Sequence, residues 1–382
     1  MLKYPFNFPK IGGRFIGRVN RFVVEVEIDG RREQAYLANP GRLWELLLPG
    51  TELLLSPALS AGRLPYTVLA CRKENQYVLL HTHLTNKIIR HLIDNGRLAL
   101  FEGYRVIKEE PARGRHRFDL LLEHEQTGEK YYLEIKTCTL FAGRVSMFPD
   151  AVTRRGSAHL CKLRDLADQG IQTGCLFVVM NPEAEYFLPA YHIDPAFARA
   201  FIAVKKSVDL QTVAIGFDPG FTTVNSISEL NIPFDFLETE LKDRGSYILL
   251  IRIENDKSLT VGSLGQTWFK QGYYVYVGSA MHSLSTRVAR HMRKRKKIRW
   301  HIDYLTTEAD MVTAVPIISS DKLECELAAS LQGIAVQTLK AFGSSDCSCP
   351  GHLFYFAENP LHNPSFIDLI QYYRIKRLEQ KL

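Results

Sequence analysis

The feature that most constrains this chain is Arg117-Phe118-Asp119 followed, fifteen residues after Asp119, by Glu134-Ile135-Lys136. Both pieces lie in strand-like runs, Phe118 to Leu122 and Tyr131 to Lys136. The segment between them contains Thr127-Gly128-Glu129, a turn signal, so the pattern predicts a β-hairpin. Side chains two apart on a strand share a face. Glu134 and Lys136 are therefore expected on one side, with Asp119 joining them from the neighbouring strand. Two carboxylates can hold a hard divalent cation and leave room for waters and phosphate oxygens. A lysine beside them can orient or deprotonate an attacking water. That set suits metal-assisted phosphodiester hydrolysis. Read from local residues alone, a solvated hairpin face carrying Asp, Glu and Lys has the same pattern.

At 382 residues and 46% hydrophobic residues, the chain can bury sizeable cores and is expected to hold two or three domains. No apolar run approaches the roughly 18–20 residues of a membrane span, and the start lacks an apolar signal core. A cytoplasmic protein without a membrane partner is the expectation. Seven cysteines are scattered and odd in number, which fits reduced thiols better than a disulfide framework. Cys347-Ser348-Cys349-Pro350-Gly351-His352 has part of a zinc-site pattern, but a second ligand pair at usable spacing is missing. It is read as a tight loop with buried thiols.

The net charge of +7 is unevenly spread. Residues 1–241 hold 29 Lys+Arg against 28 Asp+Glu, and residues 242–382 hold 19 against 13, so the excess lies in the C-terminal part. No acid occurs between Asp256 and Asp303, and Arg287 to Arg299 contains eight basic residues. Such a concentration marks a polyanion partner, nucleic acid because catalytic-looking residues flank the run, with a solvated basic helix as the plainer reading. Arg290, Arg293, Lys294, Arg295, Lys296, Lys297 and Arg299 are the expected nucleic-acid contacts, the first six on a helix from Ser283 to Lys297.

Short strands with Gly/Pro punctuation over the first 85 or so residues suggest a small barrel. Helical spacing then begins (Ile88, Ile89, Leu92, Ile93) and stops at Asn95-Gly96. After the hairpin come an amphipathic helix from Gly156 to Asp168, a buried strand from Cys175 to Met180, and a helix from Ala196 to Val204. A boundary falls near residues 231–245. Beyond it lie strands at Tyr247–Ile253, Leu259–Val261, Gly272–Val277 and Val312–Ile318, and a helix at Asp321–Gln332.

The hairpin is flanked by recognisable text: Glu109-Glu110-Pro111, Lys136-Thr137-Cys138-Thr139-Leu140, Phe148-Pro149-Asp150-Ala151-Val152-Thr153, Arg155-Gly156 and His159-Leu160. With Asn39-Pro40-Gly41-Arg42-Leu43 and Pro49-Gly50, this resembles the sugar fermentation stimulation protein (SfsA) family over roughly residues 1 to 230. The resemblance implies DNA binding, an oligonucleotide-binding barrel first and a PD-(D/E)xK nuclease-like domain second. Asp119, Glu134 and Glu110 would hold the metal and Lys136 would serve the chemistry. One position departs: where the family pattern carries a lysine before the His-Leu pair, this chain has Ala158, which weakens the case for cleavage at this site.

Gly245-Ser246-Tyr247 opens the C-terminal part, and Tyr276-Val277-Gly278 follows. Arg287 and His291 are spaced to share a helix face, and Glu324 comes later. In this order the set resembles the GIY-YIG endonuclease superfamily over about residues 245 to 356, with serine and valine replacing two motif isoleucines. The resemblance implies that Tyr247 and Tyr276 orient a metal-bound water, Arg287 holds the phosphate, His291 carries a proton or contacts phosphate, and Glu324 holds Mg²⁺ or Mn²⁺. Taken singly, the tyrosines could only pack and Glu324 could be solvated.

The expected fold is α/β of the multi-domain α+β kind: an OB-like barrel (1–84), a PD-(D/E)xK nuclease-like domain (85–237) and a GIY-YIG-like domain (238–382). The expected function is DNA binding with metal-dependent DNA hydrolysis, mainly at the GIY-YIG-like site. The alternative is a non-catalytic DNA-binding regulator of sugar-metabolism genes.

Overall fold

The computed structural model describes residues 9–58, 64–114 and 116–382. It divides into two compact units: Met1–Phe234 with Leu378–Leu382, and Asp235–Arg377. The barrel and the nuclease-like domain expected as separate pieces fall in the first unit. One hydrophobic core serves both, running from Phe15 and Leu43 through Ile88, Leu122 and Leu133 to Val213.

In the first unit, β1 (Ile11–Asn20), β2 (Val23–Ile28) and β3 (Arg31–Leu37) form a meander. Val24, Val26 and Ile28 alternate into the core, as the period of two demands. Asp29 and Gly30 both take positive φ at the hairpin turn. β4 (Glu52–Pro57) returns to β1, and β5 (Tyr66–Lys73) pairs antiparallel with β4 and parallel with β3. The ring β1-β2-β3-β5-β4 is thereby closed, and β6 (Gln76–Leu79) extends β5. α1 (Thr82–Asp94) buries Leu84, Ile88, Ile89, Leu92 and Ile93 on one stripe, and Gly96 beyond it has φ 62°.

The chain then forms β7 (Tyr104–Glu109), a two-residue pairing of β8 (Ala112–Arg113) with β9 (His116–Arg117), and the expected hairpin of β10 (Leu120–His124) and β11 (Lys130–Cys138). β12 (Leu140–Ala142) and β13 (Val145–Phe148) lead to α2 (Arg154–Ala167), β14 (Gln172–Val179), β15 (Tyr186–Pro189), α3 (Pro195–Val204), β16 (Asp209–Phe217) and β17 (Val224–Glu229). The main sheet has the order β17-β16-β14-β11-β10-β7, with β11, β14 and β16 mutually parallel. β14 is buried from Thr173 to Val179, as an interior parallel strand should be.

After α4 (Phe234–Glu240), the second unit is an antiparallel sheet of order β22-β18-β21-β24-β23. Its strands are β18 (Gly245–Ile253), β21 (Gly272–Ala280), β22 (Met311–Ile318), β23 (Gln337–Leu339) and β24 (Leu353–Phe356), beside a small hairpin of β19 (Lys257–Thr260) and β20 (Gln266–Phe269). Around it lie α5 (Leu284–His291), α6 (His301–Glu308), α7 (Glu324–Gln332) and α8 (Pro364–Arg374).

The basic helix expected to reach Lys297 ends at His291. The reason lies in Asp303, which is fully buried. Its carboxylate accepts from Arg290 Nη1 and Nη2 at 2.9 and 2.7 Å and from the backbone N–H of Arg299 and Trp300 at 2.9 and 3.1 Å. Lys296 Nζ donates to the carbonyl of His291 (2.7 Å), closing the helix C-terminus with a cation, and to Thr306 Oγ1 (2.6 Å). The run after α5 is therefore an irregular loop folded over α6.

Candidate functional site

Each unit carries one cluster of the residues singled out from the sequence. In the first, β10 and β11 pair with Leu120 opposite Leu133, and Asp119 lies in the bend just before β10, where its carboxyl feels the charge of Glu134. Asp119 Oδ1 accepts from Asn86 Nδ2 on α1 (2.8 Å) and Oδ2 from the Ile135 backbone N–H (2.7 Å). Glu134 is buried, and its Oε1 receives both Lys136 Nζ and His159 Nδ1 of α2. Glu134 Oε2 is buried with no hydrogen-bond partner among the described residues. Arg155 Nε in turn lies 3.3 Å from His159 Nε2.

The charges follow from this packing. Burial, then the charge of Glu134, raises the Asp119 carboxyl above its ordinary range. Burial also pushes Glu134 upward, but the hydrogen bonds and charges of His159 and Lys136 outweigh it and hold the group below its usual value. Burial depresses Lys136, yet the carboxylates of Glu134 and Asp119 leave it raised and cationic. The cluster opens on a cleft of about 1050 Å³ whose walls include Asp119, Lys136, Glu110, Asp150, His81 and Arg155. Glu110 lines this cleft but is exposed, with its carboxylate 3.0 Å from Arg117 Nη1. Ala158 is exposed on α2. His159, not counted as a site residue from the sequence, is the neighbour that completes the cluster; its place in the first turn of the helix expected from Gly156, just after Arg155, was the available signal.

In the second unit, β18 and β21 are neighbours with Tyr247 paired to Gly278. A Cβ at Gly278 would fall 2.4 Å from Tyr247 Oη, so the glycine makes room for the phenol. The Tyr247 and Tyr276 rings lie 6.4 Å apart between centroids. Tyr247 Oη is 3.0 Å from His291 Nε2, and His291 Nδ1 is 3.4 Å from Asp303 Oδ1. Arg287 donates to the Ser279 carbonyl (3.4 Å), and Arg287 and Arg290 both lie over the Trp300 ring, at 4.6 and 4.4 Å. Glu324, at the start of α7, receives the Ser279 hydroxyl, and its Oε1 lies 3.2 Å from His352 Nδ1. All five residues singled out in this half, Tyr247, Tyr276, Arg287, His291 and Glu324, line one cavity of about 290 Å³.

Burial raises both phenols, most strongly Tyr276, and the charge of Arg287 offsets part of this. Burial lowers His291 despite Asp303, favouring the neutral imidazole. Burial lifts Glu324, but His352, Ser279 and Arg287 more than reverse it, so the carboxylate is ionised. Asp303 is held far below the carboxylate range: burial opposes this, and His291, Arg290 and two backbone N–H groups prevail. Asp303, which is not among the site residues expected from the sequence, backs His291 and anchors the basic loop.

The expected nucleic-acid contacts divide accordingly. Arg290 and Lys296 are tied to Asp303 and its surroundings, and Lys294 Nζ donates to the Ala309 carbonyl. Arg293, Arg295, Lys297 and Arg299 are exposed.

Three family descriptions match the chain: the SfsA N-terminal OB domain over residues 16–80, the sugar fermentation stimulation protein RE domain over 83–220, and the domain of unknown function DUF123 over 246–374. The sugar fermentation stimulation protein homolog of Moorella thermoacetica is 34% identical over 235 residues, covering 61% of this chain and 99% of that protein. The homolog from Methanothermobacter thermautotrophicus is 37% identical over 189 residues, 49% of this chain and 78% of that protein. Among solved structures, Pyrococcus furiosus SfsA in complex with Ca²⁺ matches with TM-score 0.56 and 29% identity, covering 61% of this chain and 99% of that one.

Proposed function

Because the chain belongs to the sugar fermentation stimulation protein family, we propose that it binds DNA and hydrolyses phosphodiester bonds with a divalent cation, chiefly at the site of the second unit. The observation that carries this reading is the convergence of Tyr247, Tyr276, Arg287, His291 and Glu324 on one cavity. An ionised carboxylate on its wall suits Mg²⁺ or Mn²⁺, of which Glu324 would be the protein ligand. Such a cation, when bound, polarises the phosphate and lowers the pKa of its water.

The chain's own groups supply the remainder. The Arg287 fork faces the cavity and suits a phosphate in ground and transition state. The raised phenols stay protonated at neutral pH and serve as hydrogen-bond partners for the attacking water. Tyr247 can pass its proton to His291 Nε2 as it takes one from water, and Asp303 stabilises the imidazolium that results. Arg293, Arg295, Lys297 and Arg299 would meet the DNA backbone.

In the first unit, the buried Glu134 oxygen without a hydrogen-bond partner among the described residues, beside Asp119, suits a divalent cation. The Ca²⁺ complex of the Pyrococcus furiosus relative supports divalent-metal binding by this fold. Asp119 and Glu134 would hold the ion there, with Glu110 within reach of the same cleft. A second reading, a non-catalytic DNA-binding regulator of sugar-metabolism genes, is favoured at this site by Ala158 and by the double occupation of Glu134 Oε1. Supercoiled plasmid incubated with Mg²⁺ or EDTA separates the two. The proposal expects nicking that Mg²⁺ supports, that Glu324→Gln abolishes with DNA affinity kept, and that Asp119→Asn reduces less. Binding without cleavage of supercoiled, single-stranded or branched DNA would install the regulator reading.

A further inference from the structure

Cys325, Cys347, Cys349 and His352 each offer one ligand atom, and those four atoms all lie within 4.8 Å of one another. We infer that they bind a zinc ion, forming a Cys₃His centre in the second unit whose four ligands are distinct from the residues proposed above to hold the catalytic cation, and which does not rest on that proposal. The Cys347-x-Cys349-x-x-His352 run was read as a tight loop with buried thiols because no second ligand pair followed it. The structure corrects that reading: Cys325 at the start of α7 supplies the fourth ligand, and the thiols are exposed or half-buried rather than enclosed in apolar core.

The spacing suits a tetrahedron. Zn–S and Zn–N bonds of about 2.3 and 2.0–2.1 Å place neighbouring ligand atoms roughly 3.5–3.8 Å apart. Cys347 Sγ and His352 Nε2 lie 3.4 Å apart before any ion draws the set together. Three thiolates and an imidazole are a soft donor set that selects zinc over Mg²⁺ or Ca²⁺. All four positions belong to protein, which marks a closed, structural centre. Binding sends three thiol protons to solvent and leaves the centre with a single net negative charge.

The second ring nitrogen of His352 gives independent support. With Nε2 on the metal, Nδ1 must carry the hydrogen, and it lies 3.2 Å from Glu324 Oε1. Metal-bound histidines commonly donate their other N–H to a carboxylate in this manner. His352 is buried, so the ring has little freedom to turn away. The centre would thus clamp β24 to α7 and hold the Glu324 carboxylate in place, while Ser279 holds its other oxygen.

The test uses the full chain, purified under reducing conditions without chelator and reconstituted with zinc. Mass spectrometry should find about one zinc per chain. Cobalt substitution should give intense tetrahedral d–d bands with thiolate-to-cobalt charge transfer. Cys349→Ser should lose the ion, Cys161→Ser should keep it, and Glu324→Gln should weaken it by about tenfold or more, as loss of an outer-shell partner does. A reconstituted parent with less than about a tenth of one zinc per chain, or a cobalt spectrum without thiolate bands, overturns the inference. So does full zinc content in a folded Cys325→Ser, Cys349→Ser double variant. If the cysteine variants aggregate, the parent's cobalt spectrum decides alone.

Discussion

Asp303→Asn isolates the role of the buried carboxylate beneath the basic loop. Asp303 Oδ2 accepts from Arg290 Nη2, Arg299 N and Trp300 N, while Oδ1 accepts from Arg290 Nη1 and faces His291 Nδ1. Asparagine can present its oxygen to one side only. With that oxygen in the Oδ2 place, its NH₂ meets Arg290 Nη1 and the His291 N–H, donors against a donor. The hydrogen bond from Arg290 Nη1 is lost, at about 1.5–3 kcal/mol for a bond to a charged group, and the carboxylate oxygen 3.4 Å from His291 Nδ1 is replaced by a donor. Arg290 also keeps its charge in a mostly buried place without a counter-ion, and breaking such a pair typically costs about 3–5 kcal/mol. The stranded cation is the larger effect and sets the expected loss from the second unit at about 3–5 kcal/mol. Trp300 lies against Arg287 and Arg290, so its fluorescence reports on this region. Urea unfolding followed through Trp300, with Trp44 and Trp268 replaced by Phe, should show the lowered midpoint. Adding Arg290→Met should recover part of the loss, because it removes the stranded cation. The folded-state value of Asp303 is depressed, so its stabilisation is fully present above the ordinary carboxylate range. It is lost only as pH falls toward that depressed value. A midpoint for Asp303→Asn within about 1 kcal/mol of the parent would refute this account, since a single neutral hydrogen bond is worth that much.

Other perturbations read other parts of the structure. Gly278→Ala should cost about 1–3 kcal/mol by overpacking, because the new Cβ meets Tyr247 Oη, and cleavage should fall with it; unchanged melting and nicking would mean the phenol is not confined there. With four exposed cations in the loop besides Lys294, which is tied to the Ala309 carbonyl, the log–log salt slope of DNA binding should reach roughly −3 to −4, at about −0.9 per phosphate. Replacing Arg293, Arg295 and Lys297 by Gln should flatten it, whereas a constant slope would place the DNA elsewhere. Because the Asp119 carboxyl is raised in the folded chain, its contribution to stability falls as pH rises above the usual carboxylate range. Mn²⁺ should therefore raise the melting temperature more at about pH 8 than at about pH 5, and Asp119→Asn should remove most of that metal effect in a thermal-shift assay. Equal shifts at both pH values, or a full shift in the variant, would take the ion away from Asp119.

Local patterning in the sequence determined much of this protein. Strand alternation, the Asp29-Gly30 turn and the helical stripe of α1 are consequences of nearest-neighbour geometry and are legible in any such chain. The hairpin that puts Asp119 beside Glu134 is of this kind, because a turn signal fixes register and register fixes the shared face. The order of Tyr247, Tyr276, Arg287, His291 and Glu324 was legible as well, and the five do meet at one cavity. Tertiary structure decided what depends on partners far along the chain. Basic residues after His291 have helix-forming character, yet a buried Asp303 ten or so positions away draws Arg290, Lys296 and two backbone N–H groups to itself and ends the helix. Burial of a carboxylate without those donors would be too unfavourable to persist, so the loop folds around it. His159 reaches Glu134, and Cys325 reaches Cys347, Cys349 and His352, only because a helix is laid beside a strand or loop remote in sequence. No spacing rule within a single segment encodes those meetings; they arise from packing one element against another.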